Sequence, residues 1–323
     1  MLKDKEGFFL VTVRKEEDGD RMDVLLSRRF SCSRTSLRNK LKSVVLGENG
    51  SVLKWSRRLR SGQVVRIRAI RRPEPDVPVT YRIIYMDKWI VVVDKGTGAP
   101  VHPSRSYRTK TILTALRAEL GDMELSPAHR LDRETSGVLV FSRTSGIAAK
   151  LQTQFATHSI QKTYLAIVKG IPSPPEQLLA QPLERDPEFP IDCKMRLAID
   201  GASAGKPAQT LIKVLDDCGD KALVEARPRT GRMHQIRLHL AENSHPILGD
   251  KLYQFGGEAY LAMIGDELDA SWYERLGHHR LALHASRLVI THPETAQRME
   301  FKAELPADML QLLGKEMSSR HIG

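Results

Sequence analysis

The chain of 323 residues carries 50 Lys+Arg against 39 Asp+Glu, a formal net charge of +11, and 41% of its residues are hydrophobic. That is enough apolar mass for two or three packed domains and too much for a disordered chain. Its three cysteines, Cys32, Cys193 and Cys218, form no CxxC pair, no apolar run nears the ~20 residues of a membrane helix, and no signal-like core follows Met1; a disulfide scaffold and a zinc ribbon are excluded, and a soluble, cytoplasmic chain is expected.

The charge is uneven. Residues 1–75 hold 19 Lys+Arg and 9 Asp+Glu, and between Val24 and Pro73 there are 14 basic residues and one acid, Glu48. Such a field attracts phosphate backbones and anionic lipid alike. The basic residues are spread over structural elements rather than one block, which argues against a merely solvated surface. Met22, Leu25 and Leu26 predict a first helix, and Leu37 and Leu41 a second, with N-cap candidates in Ser33–Ser36. Asn49-Gly50 signals a hairpin turn, and Val64–Ile70 alternates like a strand. In this order, residues 20–70 resemble the S4-like RNA-binding domain, a small α/β module. The resemblance implies that Arg28, Arg34, Arg38, Lys40 and Lys42 contact RNA backbone, which positions a protein without reading sequence.

The proline-rich segment Arg72–Pro78 reads as a linker. It divides the chain into a domain at 1–72, a linker at 73–79 and a domain at 80–323. The larger part reads as α+β. Ile83–Asp94 predicts two strands around an Asp-Lys turn; Thr111–Leu120 and Ile147–Phe155 have helical spacing; Val138–Phe141 and Tyr164–Val168 read as strands. These apolar stripes are core rather than ligand contacts.

His129-Arg-Leu-Asp-Arg-Glu-Thr-Ser-Gly137 is the most informative segment. It sets an Asp between two arginines, whose charge favours the carboxylate, directly before a hydrophobic strand. On the residues alone, a salt-bridged turn and a functional loop fit equally. The segment, however, matches throughout the signature loop of RluA-type pseudouridine synthases. Asp94–Pro103, Lys162–Val168, Arg229–His239, His245–Asp250, Leu281–Ala285 and Thr291–Pro293 resemble further family segments, in the family's order. Gly96 stands where the family usually has Pro, Met233 where it usually has Thr or Ser, and residues 254–276 are longer than the usual connection.

The resemblance implies a mixed, largely antiparallel central sheet with flanking helices and an isomerase that converts uridine in RNA to pseudouridine. That reaction breaks the C1′–N1 bond, turns the base and joins C1′ to C5. Nothing is oxidised and no atom is lost, so no cofactor and no metal is required. By the same resemblance Asp132 is the essential carboxylate, acting either as nucleophile or as base at C2′. Arg237, in what reads as a strand at Arg229–His239, is its cationic partner, with Arg232 as rival. Tyr164 stacks on the base. The target uridine must leave its stack, and His129, Arg130 and Arg133 are expected to meet the RNA, with His129 and Arg130 filling the vacated space. His278, His279 and His284 suggest a metal cluster only weakly, for want of a carboxylate at suitable spacing, and read as RNA-facing or core. The expected partner is RNA, ribosomal ahead of transfer RNA; no membrane is expected, and the chain is expected to be a monomer. The alternatives are a catalytically silent RNA-binding or ribosome-assembly protein and a membrane-surface protein, the latter lacking an amphipathic anchor.

Overall fold

A computed structural model describes residues 9–29, 34, 43–48, 50–69, 74–104, 107–191, 193–199, 205–265 and 267–314. The chain divides into two compact units, Met1–Pro73 and Glu74–Gly323. The second helical pattern at Leu37 and Leu41, the turn residue Asn49, and Arg38, Lys40 and Lys42 lie outside the described residues.

The smaller unit contains β1 (Phe9–Thr12), α1 (Met22–Arg29), β2 (Ser43–Leu46) and β3 (Val64–Ala69). β3 is the centre of an antiparallel sheet of order β1-β3-β2. Its alternation puts Val65 and Ile67 against Met22, Leu25 and Leu26 of α1, with Val11 and Val45 from the flanking strands. Arg28 and Arg34 are exposed, and Arg28 lies 3.1 Å from Asp20. Arg29 grips the buried Glu17 through two bonds of 2.7 Å.

The larger unit begins with β4 (Tyr81–Met86), β5 (Ile90–Lys95), α2 (Ile112–Leu120), β6 (Ser126–Pro127), β7 (Ser136–Ser142), α3 (Ser145–Ala156) and β8 (Gln161–Lys169). It continues through β9 (Glu176–Leu179), β10 (Leu183–Arg185), β11 (Met195–Leu197), β12 (Thr210–Asp217), β13 (Lys221–Pro228) and α4 (Gln235–Glu242). It ends with α5 (Glu258–Gly265), α6 (Ala270–Leu276), β14 (Leu283–Thr291), β15 (Arg298–Lys302) and α7 (Ala307–Leu312). The main sheet has the order β4-β5-β7-β14-β8-β13-β12-β9, with β6 beside β7 and β15 beside β14. All its pairs are antiparallel except β7 with β14, so the fold is α+β on a mixed, largely antiparallel sheet.

The unbroken apolar runs in β5 and β7 follow from burial on both faces. Val91, Val93, Leu139 and Phe141 pack with Ile112 and Leu116 of α2, while Ile90, Val92, Val138 and Val140 pack with Ile147 and Leu151 of α3. Thr111 and Thr144 cap the two helices, their side chains accepting the amides of Thr114 and Ile147.

Residues 74–79, which the prolines suggest as part of a hinge, run on the larger unit. The Glu74 carboxylate accepts the amides of Arg108, Thr109 and Lys110 at 2.7–2.9 Å, and Val77 and Val79 pack against the core beneath α2. Among the described residues no helix is long and apolar enough to cross a membrane.

Candidate active site

Asp132 sits in the loop between β6 and β7, and the sequence after it explains its placement. Gly137 has φ +109, and a Cβ there would lie 2.2 Å from the Ala285 carbonyl oxygen. Only glycine lets β7 come this close to β14, where the parallel pair begins at Ser136 opposite His284. The loop is held from below by Lys95, fully buried at the end of β5, whose ammonium donates to the carbonyls of Gly96, Arg133 and Thr135, each at 2.9 Å.

Above the loop opens a cavity of about 1030 Å³, lined among others by His102, His129, Arg130, Asp132, Lys162, Tyr164, Arg232, His234 and Arg237. Among the described residues Asp132 is the only acid lining it, against four cations: Arg130, Lys162, Arg232 and Arg237. The Arg237 Nη1 donates to Asp132 Oδ2 at 2.8 Å, while its Nε and Nη2 donate to the two oxygens of Asp250 at 2.8 Å. The guanidinium also lies 5.1 Å from the Tyr253 ring centre. Burial pushes the Asp132 carboxyl up, but the neighbouring His234, Arg237 and Lys95 outweigh it and hold the group below its ordinary value. Arg237 is pushed the other way: burial disfavours its charge, and Asp250 with Asp132 more than restores it. Burial and the Asp132 charge raise the Tyr164 hydroxyl, so it stays protonated.

Arg237 lies on α4, not on a strand. The segment Gln235-Ile-Arg-Leu-His-Leu240 alternates because the helix is buried on several sides. Ile236 and Leu240 face the main core, Leu238 packs with Leu183, Met195 and Ala208, and Gln235 and His239 bond Thr210.

Arg232 does not reach Asp132. It stands at the cavity rim with its Nε donating to the Pro207 carbonyl. Arg130 is exposed at the rim, with no ion pair among the described residues. His129 lines the wall but is fixed there: its Nε2 accepts the Val140 amide at 3.2 Å and its ring lies 4.8 Å from that of Phe155. Burial, with the Lys162 charge, pushes its imidazole down to about 3. Its nitrogen is therefore committed to β7 rather than free to enter a base stack. Arg133, expected to meet RNA, turns out of the cavity. Its guanidinium bonds Tyr107 and Glu134, and Glu134 in turn takes Lys251 at 3.0 Å.

His284 is a core residue, between the Ser136 hydroxyl and the Ala303 carbonyl. The fold does bring a carboxylate, Asp308, to 3.2 Å from His278 and 3.8 Å from His279, but both of its oxygens already accept from Arg280. Sequence reading passed over Lys95, Lys162, His234, Asp250 and Tyr253. Each lies in or beside a segment resembling the family, yet nothing in the one-dimensional pattern says which of its side chains faces the carboxylate.

Residues 89–242 match the family model described as RNA pseudouridylate synthase. The ribosomal large subunit pseudouridine synthase D of Neisseria meningitidis is 33% identical over 315 residues, covering 94% of this chain and 80% of that protein. The tRNA pseudouridine synthase C of Vibrio parahaemolyticus is 35% identical over 245 residues, 73% of this chain and 94% of that protein. Among solved structures, human RNA pseudouridylate synthase domain containing 4 superposes with a TM-score of 0.57 at 29% identity, over 73% of this chain and 94% of the human one.

Proposed function

Since the chain belongs to the RNA pseudouridylate synthase family and is an isomerase of uridine in RNA, we propose that its substrate is large-subunit ribosomal RNA in the cytoplasm and that Asp132 is the carboxylate that works on the sugar. The observation that carries the assignment is the Asp132–Arg237 pair: the single acid among the cavity's described lining residues, kept ionised by a guanidinium that Asp250 aligns. As the C1′–N1 bond loosens, positive charge develops on the sugar, and a fixed anion beside it stabilises that state. Tyr164, neutral and lining the same cavity, supplies a face for the base. Arg130, exposed at the rim, has the reach and the free charge to fill the gap left in the RNA stack. The excess of cations around one acid suits a polyanionic substrate.

The preference for ribosomal RNA rests on the smaller unit. The ribosomal relative matches 94% of the chain, more than the larger unit alone can supply, whereas the match to the transfer-RNA relative, 73% of the chain, is no longer than that unit. The exposed arginines Arg28 and Arg34, in a unit whose pattern resembles the S4-like domain, then serve as backbone contacts of a chain acting as a monomer. Transfer RNA is the second reading, favoured by the 35% identity to that relative.

The test is incubation of the purified chain with large-subunit ribosomal RNA and with transfer RNA lacking modifications, followed by pseudouridine mapping. Modification at discrete ribosomal positions is expected; modification of transfer RNA alone reverses the preference. Asp132→Asn should bind the same RNA and form no pseudouridine, and turnover by that variant would remove Asp132 from the reaction.

A further inference from the structure

His234 adopts a left-handed backbone, φ 56 and ψ 18, at the position preceding α4, and its side chain does not cap the helix. A β-carbon residue in that region is strained by about 1 kcal/mol or more, and such strain collects where side-chain direction matters. The ring is turned inward, its side chain 13% exposed. Its Nδ1 lies 3.0 Å from the Tyr253 hydroxyl, and the two rings meet edge to face at 5.7 Å. The same hydroxyl accepts the Met195 amide at 3.0 Å. Holding that amide, the hydroxyl has its own proton left to give, and Nδ1 is the atom in reach. Nδ1 is then an acceptor, and a neutral imidazole must carry its proton on Nε2. Nε2 lies 3.9 Å from Asp132 Oδ2, the oxygen that Arg237 also holds. Asp132 Oδ1 makes no hydrogen bond among the described residues. Burial pushes the imidazole down to about 4, so its charge acts on Asp132 only in acid and the ring is neutral at ordinary pH.

We propose that His234 is a positioning residue for Asp132: its Nε2–H, with the tautomer set by Tyr253, closes onto Oδ2 when a uridine expels water, and leaves Oδ1 as the oxygen facing the sugar. This rests on the assignment of Asp132 above. A separation of 3.9 Å is too long for a hydrogen bond, but such contacts tighten once substrate fills a site.

The experiment compares His234→Asn and His234→Gln with the wild type and Asp132→Asn, in the full chain. It measures thermal midpoint, RNA affinity and single-turnover rate at saturating RNA. Asn tolerates the left-handed backbone, but its amide stops near the position of Nδ1; Gln tolerates that backbone less well, yet carries an N–H as far as Nε2. His234→Asn should therefore be the more stable and the slower variant, by about 10- to 100-fold against wild type at unchanged affinity, the range expected for one hydrogen bond to a charged group. His234→Gln should be less stable and faster, within about fivefold of wild type. A side chain that only packs would make rate follow stability. If His234→Asn turns over at the wild-type rate, or the two variants rank the same way in rate and midpoint, His234 does not position the carboxylate. Turnover by Asp132→Asn would instead overturn the underlying reading.

Discussion

Replacing Arg237 by Met separates what the guanidinium does for the fold from what it does for the reaction. Asp250 is 1% exposed and takes two bonds from Arg237, and Asp132 takes the third. Breaking a buried ion pair from one side costs about 3–5 kcal/mol, because the remaining charge stays buried without its partner. Asp250 keeps the amides of Leu252 and Tyr253, at 2.9 and 3.1 Å, which points to the lower end, ~3 kcal/mol. In a unit the size of Glu74–Gly323, each kcal/mol moves the thermal midpoint by about 2–4 °C, so Arg237→Met should melt roughly 6–12 °C lower. Adding Asp250→Asn removes the orphaned charge and should return most of that loss. Activity should not return, since Asp132 still lacks its cation and burial pushes its carboxyl up; a rate at least ~100-fold below wild type is expected, equivalent to about 3 kcal/mol. Circular dichroism melts and single-turnover pseudouridine formation measure the two effects on the same samples. A midpoint of Arg237→Met within ~2 °C of wild type, or a double variant that regains catalysis, would refute the shared-guanidinium argument.

Three further outcomes are expected. Gly96→Pro, the residue the family usually carries, should lower stability by about 2–4 kcal/mol in urea titrations: the Gly96 amide donates to the Thr80 carbonyl at 2.8 Å, and a Cβ would come within 2.0 Å of the Thr80 hydroxyl. The Glu17 carboxyl is held at about 2, below its ordinary value of 4.5, chiefly by its hydrogen bonds to Arg29. Its folded value is the depressed one, so its contribution is complete above pH ~4.5 and fades as pH falls toward 2; hydrogen exchange of residues 9–29 in the full chain should lose protection over that window, and Glu17→Gln should remove the pH dependence. Deleting residues 1–73 should flatten the salt dependence of RNA binding, each lost phosphate contact reducing the log–log slope by about 0.7–0.9; an unchanged slope in filter-binding titrations would place the backbone contacts on the larger unit.

The parts of the fold legible in the sequence were those with a period or a fixed local chemistry. The strands flanking Asp87 were readable because the Asp87 carboxylate closes the turn locally, accepting the amides of Trp89 and Ile90 at 2.8 Å. α2 and α3 were readable because each buries one stripe. α4 misled for the opposite reason: buried on several sides, it has no polar face to mark a helical period, and its apolar residues fall at every second position. β9, β10 and β11 are three or four residues long, too short to show any period. At the site, the resemblance pointed to Asp132, Tyr164 and Arg237, and the fold gathers all three around one cavity. It could not point to Asp250 or Tyr253, because what matters in them is their direction relative to Arg237, fixed only when the turn after Ile247 packs under α4. Arg133 reverses the lesson: one residue from the carboxylate in sequence, it turns to Tyr107 and Glu134, while His234, 102 positions away from Asp132, comes to 3.9 Å.

The charges around Asp132 also account for each other. Asp132 and Asp250 share one guanidinium, which leaves a surplus negative charge in a sheltered site, and an uncompensated charge there would favour protonation of the very group the reaction needs ionised. A second cation whose charge acts on Asp132 is Lys95. Burial pulls its ammonium down and the Asp132 carboxylate pulls it part of the way back, to about 7. Its surroundings favour the charged form for a second reason: three carbonyl oxygens stand at 2.9 Å around Nζ, and only an ammonium has three N–H groups to meet them, since a neutral amine would turn its lone pair on one. Two of those carbonyls belong to Arg133 and Thr135, in the loop that bears Asp132. One buried lysine thus fixes the path of that loop and supplies the positive charge that lets its carboxylate stay ionised, so the placement of the acid and its protonation state depend on the same three hydrogen bonds.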